Sequence, residues 1–248
     1  KLSFSSKAGF VHGYRDYCEG SDYGRNPLWP VYNGDGSYYR SKANDYSNPV
    51  MANEQITGFS RSINGYIQAK LDWKIIDGLT FSLSGNGKAG QTRSVHFNPP
   101  VYTYGGDIYN GEATVAESTW YQVQTDAYLT YSKKIKQHNF SAMLGASWED
   151  RIDNSSSITG RGFTNTVLKY ETISSAEKLY ANTGRSEWSI ASAFTRLTYD
   201  YDSRYFVTFT ARADGSSKFA ENHKWGFFPS GAVGWRIDNE PWMKSLGI

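Results

Sequence analysis

The sequence alternates between apolar and polar residues at every second position over long runs, and this alternation recurs along most of the 248-residue chain. Residues 63–73 show it clearly, with Ile67 and Leu71 on one side of the run and Gln68 on the other. A period of two residues is typical of a β-strand with one apolar and one polar face. The alternation therefore predicts an all-β protein with little helix.

Eight runs follow this pattern, and each is about 10–13 residues long. That is longer than the usual strand of about 5–6 residues in a globular sheet, and it suits strands that cross a bilayer at a tilt. We expect one continuous antiparallel meander. The predicted strands cover residues 2–12, 62–74, 79–90, 120–133, 139–151, 188–200, 204–214 and 225–237.

The connections between the predicted strands alternate in length. Short turns are expected near 75–78, 133–138 and 201–204, long loops at 14–61, 91–119 and 152–187, and an intermediate one at 214–224. Short turns on one side and long loops on the other are the layout of outer-membrane β-barrels, whose long loops lie outside the cell. The pattern therefore predicts part of a transmembrane β-barrel.

Composition agrees with this interpretation. The mean hydropathy is -0.59, and no run approaches the 18 apolar residues of a transmembrane helix. Aromatic residues make up 16% of the chain, which fits belts at the two membrane interfaces. We expect one belt near the short turns (Trp73, Tyr131, Tyr199, Tyr205, Trp235) and one near the long loops (Tyr121, Trp148, Trp188, Phe227). A net charge of +2 argues against a nucleic-acid partner.

The alternation also assigns side chains to the two faces of the sheet. The residues expected to face lipid are Ile67, Leu71, Leu83, Leu129, Leu144, Val207 and Val233. The residues expected to face the barrel lumen are Gln68, Gln124, Ser141 and Thr208.

The most specific pattern lies near the C-terminal end. Residues 194–237 read FTRLTYDYDSRYFVTFTARADGSSKFAENHKWGFFPSGAVGWRI. This stretch resembles the SusC/RagA-type family of TonB-dependent outer-membrane transporters, which carries R-x-D-G-S-S-[RK]-F followed by W-G-x-F-P-S-x-A-x-x-W-R. The matching residues are Arg212, Asp214, Gly215, Ser216, Ser217, Lys218, Phe219, Trp225, Gly226, Phe228, Pro229, Ser230, Ala232, Trp235 and Arg236. Weaker similarities lie at 48–49 and 128–150.

The resemblance implies a 22-stranded barrel in the outer membrane that contains a plug domain. It further implies energised import of oligosaccharides or peptides, with TonB and a SusD-like surface lipoprotein as partners. No plug sequence is recognisable here and the two ends look cut. We therefore expect residues 1–248 to be a single partial barrel domain from inside a longer protein.

The family motif has two interpretations. Arg212, Asp214, Gly215, Ser216, Ser217, Phe219, Trp225 and Pro229 could shape the channel mouth. Alternatively they form a structural hairpin, in which Asp214 and Gly215 make the turn and Arg212 is paired inside the lumen. The sequence favours the structural interpretation.

Two predicted external loops are rich in aromatic residues. The candidate substrate-binding residues are Trp29, Tyr32, Tyr38, Tyr39, Tyr102 and Tyr104. Flat rings stack on sugar or peptide groups, and tyrosine hydroxyls hydrogen-bond to ligands. The alternative is that the rings pack against one another or against a lid protein.

The sequence predicts no enzymatic activity, no cofactor and no metal. Residues 85–90 fit G-x-G-x-x-G, but the helix that a dinucleotide site needs does not follow. The four histidines share no metal-ligand spacing. Two other functions stay open, a self-contained eight-stranded barrel with a structural or adhesive role and a secreted β-sandwich that binds carbohydrate.

Overall fold

The computed structural model describes residues 1–17, 27–39, 48–100 and 110–245. The strands are β1 (Leu2–Asp16), β2 (Thr57–Ile76), β3 (Leu79–Asn98), β4 (Glu112–Ile135), β5 (His138–Arg161), β6 (Lys178–Tyr201), β7 (Tyr205–Ser216) and β8 (Trp225–Trp235). The helical elements are α1 (Pro49–Gln55), α2 (Pro241–Ser245) and 3₁₀ turns at Lys169–Ser175 and Ile237–Asn239. Among these residues no helix is long and apolar enough to span a membrane.

The eight strands form a single sheet in chain order, and every neighbouring pair is antiparallel. The predicted all-β meander is therefore confirmed. Strands β1 and β8 are the two edges, and they do not pair with each other in the described part of the chain. The sheet is consequently open, unlike a self-contained eight-stranded barrel, and it has one layer, unlike a sandwich.

Strands β2 to β6 exceed their predicted lengths the most. β2 and β3 have 20 residues each, and β4, β5 and β6 have 24 each. The additional residues belong to stretches that the sequence pattern placed in loops, chiefly 91–98, 112–119, 152–161 and 178–187. These stretches are rich in Ser, Thr, Asn and charged residues, so they lack apolar alternation. Their backbones nevertheless pair in unbroken register, and the sheet extends beyond its apolar part.

The side chains of the sheet separate into an apolar face and a polar face. Directly paired residues share a face, so the register from β1 to β8 assigns every strand position. The apolar face contains Ile67, Leu71, Leu83, Leu129, Leu144, Val207 and Val233. The polar face contains Gln68, Gln124, Ser141 and Thr208. The predicted division of these eleven residues between two faces is confirmed.

Aromatic side chains border the apolar face at both ends. The short-turn belt consists of Trp73, Tyr131, Phe140, Tyr199, Tyr205 and Trp235, and the long-loop belt of Tyr121, Trp148, Trp225 and Phe227. In the described strands no charged side chain lies on this face between the belts. Beyond the long-loop belt, charged residues appear on it as Asp16, Arg61, Arg93, Glu117, Asp150, Arg185 and Glu187.

The spacing of the belts can be measured along β4. Tyr121 and Tyr131 are ten residues apart, which is about 34 Å along an extended strand. For a strand tilted by about 40° this gives a height of about 25 Å, the height of the apolar band in outer-membrane barrels.

The prediction that Trp188 belongs to the long-loop belt is wrong. Trp188 pairs with Arg151 and lies on the polar face, where the Lys218 ammonium is 5.1 Å from the ring centre. Because β6 extends to Lys178, Trp188 is an interior strand residue, and the two-residue period places it on the same face as Ser192.

A small apolar core lies at the long-loop end of the sheet. Phe97 and Ala113 are buried beneath residues 162–177, here called the roof segment, which contributes Phe163 and Ile173. A Cβ atom at Gly160 would lie 2.8 Å from Ile173 and from Ala176. The roof segment therefore packs tightly on the apolar-face side of the sheet, beyond the long-loop belt.

Glycines on the polar face accommodate aromatic rings from neighbouring strands. Gly145 pairs with Tyr128 on one side and Phe194 on the other. A Cβ atom at Gly145 would lie 2.6 Å from the Phe194 ring and 2.7 Å from Tyr128 Cβ. The two side chains therefore occupy the space that the glycine leaves.

Candidate functional site

A cleft of about 400 Å³ lies on the polar face of strands β4 to β8, and we call it the polar-face cleft. Its charged groups are Asp126, Glu149, Arg212 and Asp214, its uncharged polar groups include Gln124, Ser147, Ser192 and Ser216, and its rings are Phe219 and Phe228. Six residues of this lining match the sequence motif, and four of them, Arg212, Asp214, Ser216 and Phe219, are among the eight motif residues predicted to shape either the channel mouth or a structural hairpin. The fold thus brings half of the predicted motif residues to one concave surface.

Arg212 is held in place by three contacts. Its Nε donates a hydrogen bond of 2.6 Å to Asp214 Oδ1, and one Nη donates a bond of 2.9 Å to Ser192 Oγ. The guanidinium carbon lies 5.7 Å from the centre of the Phe194 ring. Arg212 is therefore paired on the polar face, and the contacts orient its side chain along the strand, while its position inside a barrel lumen stays a prediction.

Two further carboxylates lie in the cleft. Asp126 accepts hydrogen bonds from Ser84 Oγ at 3.2 Å and from Gln124 Nε2 at 3.1 Å. Glu149 accepts a bond from Gln122 Nε2. Each ionised carboxylate can accept about four hydrogen bonds, so both retain capacity for the hydroxyl or amide donors of a ligand.

The prediction that Asp214 and Gly215 form the turn of the motif is wrong. Both residues lie within β7, where Asp214 pairs with Gly226 and Gly215 pairs with Trp225. A Cβ atom at Gly215 would lie 2.8–2.9 Å from the Trp225 ring. The glycine is required by this ring on the neighbouring strand rather than by a turn, and the chain turns later, at residues 217–219.

The serines of the motif form hydrogen bonds that connect the end of β7 to β6 and to the residue before β8. Ser216 N donates to the Lys224 carbonyl at 2.9 Å, and Ser217 N donates to the Ser189 carbonyl at 2.9 Å. The Ser189 amide donates in return to Ser217 Oγ at 2.8 Å. Pro229, the last predicted motif residue, lies on the apolar face opposite Ala211. Gly215, Ser217, Trp225 and Pro229 therefore lie outside the cleft wall.

The aromatic residues of the first long loop form a compact unit. Residues 27–39 make a small hairpin in which Tyr32 bridges to Tyr38. The ring centres of Tyr32 and Tyr38 are 5.3 Å apart, and those of Trp29 and Tyr39 are 6.2 Å apart. Four predicted substrate-binding residues are thus brought together, packed in two pairs.

Asn48, which the sequence analysis did not identify as important, anchors this hairpin. Its side chain is buried and donates to the carbonyls of Val31 at 2.6 Å and Tyr39 at 3.2 Å. Its Oδ1 accepts from the amides of Val50 and Met51 at the start of α1. An Asn followed by Pro is a helix-start signal, and it could have revealed this role.

A larger cleft of about 940 Å³ separates the hairpin and α1 from the end of β3 and the roof segment. Tyr38 lines it, and its hydroxyl donates a hydrogen bond to the Glu54 carboxylate. This bond raises the pKa of Tyr38 to about 12, so the hydroxyl stays protonated at neutral pH. Phe97 and Lys169 form the opposite wall.

Two of the predicted substrate-binding residues, Tyr102 and Tyr104, lie outside the residues that the structure describes. Their relation to either cleft stays a prediction.

A second residue that the sequence analysis missed is Glu240, which follows β8 at the short-turn side. Only 6% of it is exposed. Its carboxylate accepts bonds from Tyr205 Oη at 2.6 Å, Trp235 Nε1 at 3.0 Å and Arg204 at 3.1 Å. These donors, Tyr205 foremost, hold the pKa of Glu240 below its usual range. The sequence gives no signal for this site, because its members come from three separate stretches.

The side chains of the polar-face cleft are suited to binding a ligand. Its carboxylates, arginine and rings can accept, donate and stack, and among the described residues no group of His, Cys, Asp and Glu is placed to hold a metal ion. The G-x-G-x-x-G stretch at 85–90 lies entirely within β3, which continues as strand to Asn98.

The chain is similar to known proteins over most of its length, although no family model matches it. It is 32% identical over 219 residues to TonB-dependent receptor P3 of Formosa agariphila, a match that spans 86% of this chain and 22% of that protein. It is 26% identical over 279 residues to TonB-dependent receptor SusC of Bacteroides thetaiotaomicron, spanning 100% of this chain and 27% of that protein. The chain thus spans about a quarter of the length of these relatives, which are named as receptors rather than enzymes.

Solved structures show the same fold. The RagAB peptide transporter superposes with a TM-score of 0.78 at 18% identity, over 96% of this chain and 29% of that chain. The RagAB peptide importer in its open-open state gives a TM-score of 0.77 at 18% identity, over 97% of this chain and 28% of that chain. The open sheet thus corresponds to part of a larger transporter chain.

Proposed function

Because the chain belongs to the SusC/RagA-like family of TonB-dependent receptors, we propose that it forms part of the barrel wall of an outer-membrane nutrient importer. One observation carries this proposal. The apolar face is free of charge over a height of about 25 Å between two aromatic belts, which matches the lipid-facing band of such barrels. The opposite face is polar and borders the transport path.

Residues 1–248 make up one partial barrel domain in this proposal. The plug domain, the segment that contacts TonB and the other strands belong to further parts of the full-length protein. The strand ends with short turns face the periplasm, and the roof segment and the long loops face outward. Energy for transport reaches the barrel through TonB.

The proposed substrate is an oligosaccharide or a peptide, delivered beneath a SusD-like lipoprotein that acts as a lid. The polar-face cleft supports this class of ligand, because both kinds of molecule present many hydroxyl or amide donors. Asp126 and Glu149 retain acceptor capacity for such groups, and Phe228 offers a flat surface. The motif residue Arg212 then positions the cleft wall through Asp214 and Ser192.

The aromatic hairpin is a second place of substrate contact in this proposal. Tyr38 lines the larger cleft at the outward end, which supports contact with a ligand or with the lid. Trp29, Tyr32 and Tyr39 pack against one another or against Tyr38, so they act chiefly by shaping the hairpin. Tyr102 and Tyr104 are proposed to complete the same surface.

Cysteine labelling in intact cells tests the barrel placement. Gln124 and Thr125 are neighbours on opposite faces of β4. In the full-length protein carrying Cys18→Ser, we expect a water-soluble maleimide to label Gln124→Cys and to leave Thr125→Cys unlabelled, since lipid covers that position. After solubilisation and unfolding, both should be labelled equally. Equal labelling of the two variants in intact outer membranes would contradict the placement.

Growth and binding measurements test the transport function. A strain that lacks the full-length gene should lose growth on one oligosaccharide or peptide source while keeping growth on monosaccharides and amino acids. Affinity purification of the tagged receptor should recover a surface lipoprotein. If the deletion strain grew normally on every polymeric source while the cysteine labelling was as expected, the barrel placement would stand and the importer function would be rejected.

A further inference from the structure

Two arginines face each other on the apolar face. Arg61 of β2 and Arg93 of β3 are direct cross-strand partners, and both side chains are exposed. They lie four residues beyond Gly65 and Ala89, which are in register with Tyr121 of the long-loop belt. Four residues correspond to about 13 Å along the strands. In tilted strands this places the pair within about 10 Å of the band's edge, close to the headgroup layer.

Such a pair is unfavourable by itself, because like charges directly opposite each other destabilise a sheet. Arg61 is supported by rings, since its guanidinium carbon lies 4.8 Å from the Phe59 ring centre and 5.7 Å from that of Tyr14. Arg93 has a loose ion pair with Glu117, at 3.7 Å. The rings hold Arg61 in place but neutralise no charge, and Glu117 offsets the charge of Arg93.

Along the strands, the arginine pair lies between the apolar band on one side and the roof segment on the other. On the side of the band their row is followed by Ile63 and Gln91, after which the face is apolar. On the other side, Phe59 is buried and packs edge-on against Tyr170 of the roof segment, with ring centres 5.8 Å apart. The exposed apolar face therefore ends at the roof, and the arginine row is the last row beneath it.

The charged side chains around Arg61 and Arg93 sum to a net positive charge. Lys169 of the roof segment donates to Thr57 Oγ1 at 2.7 Å. Asp16, one row above Tyr14, accepts a bond of 2.6 Å from the Tyr14 hydroxyl. Two arginines and one lysine thus outnumber the two carboxylates, Glu117 and Asp16. The arginines are direct neighbours, whereas the carboxylates lie at the margins of the pair.

We infer that Arg61 and Arg93 form a binding site for the phosphate group of an outer-leaflet lipid headgroup, with the lipid chains lying on the apolar band below. The inference rests on the proposed outer-membrane placement. Guanidinium groups recognise phosphate oxygens through paired hydrogen bonds, and a phosphate between them converts their repulsion into attraction. The roof segment limits the height of the headgroup, and Tyr14 borders it on one side.

The test uses the full-length receptor in detergent, titrated with dioleoyl phosphatidic acid or dioleoyl phosphatidylcholine and examined by native mass spectrometry. In the wild type we expect at least one phosphatidic acid bound about tenfold more tightly than phosphatidylcholine. The double variant Arg61→Gln, Arg93→Gln should lose this preference. Arg185→Gln is the matched control, because Arg185 lies on the same face beyond the long-loop belt but is paired with Glu187 at 2.9 Å, and it should keep the preference.

Three outcomes would overturn the inference. They are a wild type without preference, an unchanged preference in the double variant, and binding of inorganic phosphate to lipid-depleted receptor as tight as that of phosphatidic acid, which would indicate a free anion. Heat-modifiable gel mobility confirms that each variant is folded. Failure of the proposed function would show separately, as unchanged growth of the deletion strain or as equal cysteine labelling, with the lipid preference intact.

Discussion

The Tyr205 hydroxyl donates a hydrogen bond of 2.6 Å to Glu240, and this bond fastens the segment after β8 to the first residue of β7. The same carboxylate accepts from Trp235 and Arg204. Burial of an ionised group is unfavourable unless partners replace water, and three donors do so here. A single carboxylate therefore joins the start of β7 and the end of β8 to the chain that leaves the sheet.

The first prediction concerns pH. The pKa of Glu240 is lower in the folded protein, so the carboxylate contributes stability above its unfolded pKa of about 4.3 and loses that contribution as pH falls through the folded value. We expect the thermal midpoint of the full-length receptor in detergent to drop between pH 5 and pH 3 by more in the wild type than in Glu240→Gln. Glu187→Gln, at an exposed pair, is the control and should follow the wild-type curve. Parallel curves for wild type and Glu240→Gln would contradict this role.

The second prediction concerns the two faces of β4. Leu129 lies on the apolar face between Phe81 and Leu144, and Gln124 lies on the polar face. Leu129→Arg should destabilise the barrel, because it places a charge inside the lipid band, and the cost should be below the roughly 2–4 kcal/mol of the bilayer midplane because Tyr131 of the short-turn belt is only two residues away. Gln124→Arg should cost much less, since water reaches it. Urea titration of folding into phosphatidylcholine vesicles measures both, and equal costs would argue against the assignment.

The third prediction concerns the glycine beneath two rings. Gly145→Ala places a methyl group 2.6 Å from the Phe194 ring, and the forced displacement should cost about 1–3 kcal/mol. Gly85→Ala is the matched control, because nothing lies within 4 Å of the new Cβ atom and no positive φ is involved. The same urea titration compares them. A Gly145→Ala protein as stable as Gly85→Ala would show that the rings move aside freely.

The fourth prediction concerns the aromatic hairpin. The double variant Trp29→Ala, Tyr104→Ala should reduce substrate uptake without reducing the amount of folded receptor in the membrane, since Trp29 shapes the aromatic hairpin and Tyr104 belongs to the proposed binding surface. Tyr38→Phe is a finer probe, because it keeps the ring beside Tyr32 and removes only the bond to Glu54. Uptake is measured with labelled substrate and receptor amount by heat-modifiable gel mobility. Wild-type uptake in the double variant would eliminate a role in binding.

The strands and the face on which each side chain lies were predictable because apolar–polar alternation is visible in the local sequence. Leu129 and Gln124 are assigned correctly by the two-residue period alone. The ends of the strands were not predictable in the same way. Residues 152–161 read as a polar loop, and only their pairing with β4 and β6 makes them strand. Trp188 was misassigned because its aromatic ring suggested a belt residue, although the two-residue period places it on the polar face with Ser192.

The candidate site was predictable only in part. The motif identified Arg212 and its pairing, but Gly215 was interpreted as a turn residue because a glycine after aspartate is a turn signal. Its partner Trp225 lies ten residues later, and that contact depends on register. Glu240 shows the same limit more strongly, since its three donors become neighbours only when β7 and β8 pair.

The unbroken register of the central strands has a mechanical consequence. β4, β5 and β6 are paired over 24 residues with no irregularity, and the hydrogen bonds run perpendicular to the strands. A pull along the strand axis, such as tension applied from the periplasmic end, loads these bonds together in shear instead of peeling them apart one after another. The paired strands can therefore bear a large load along their axis without separating.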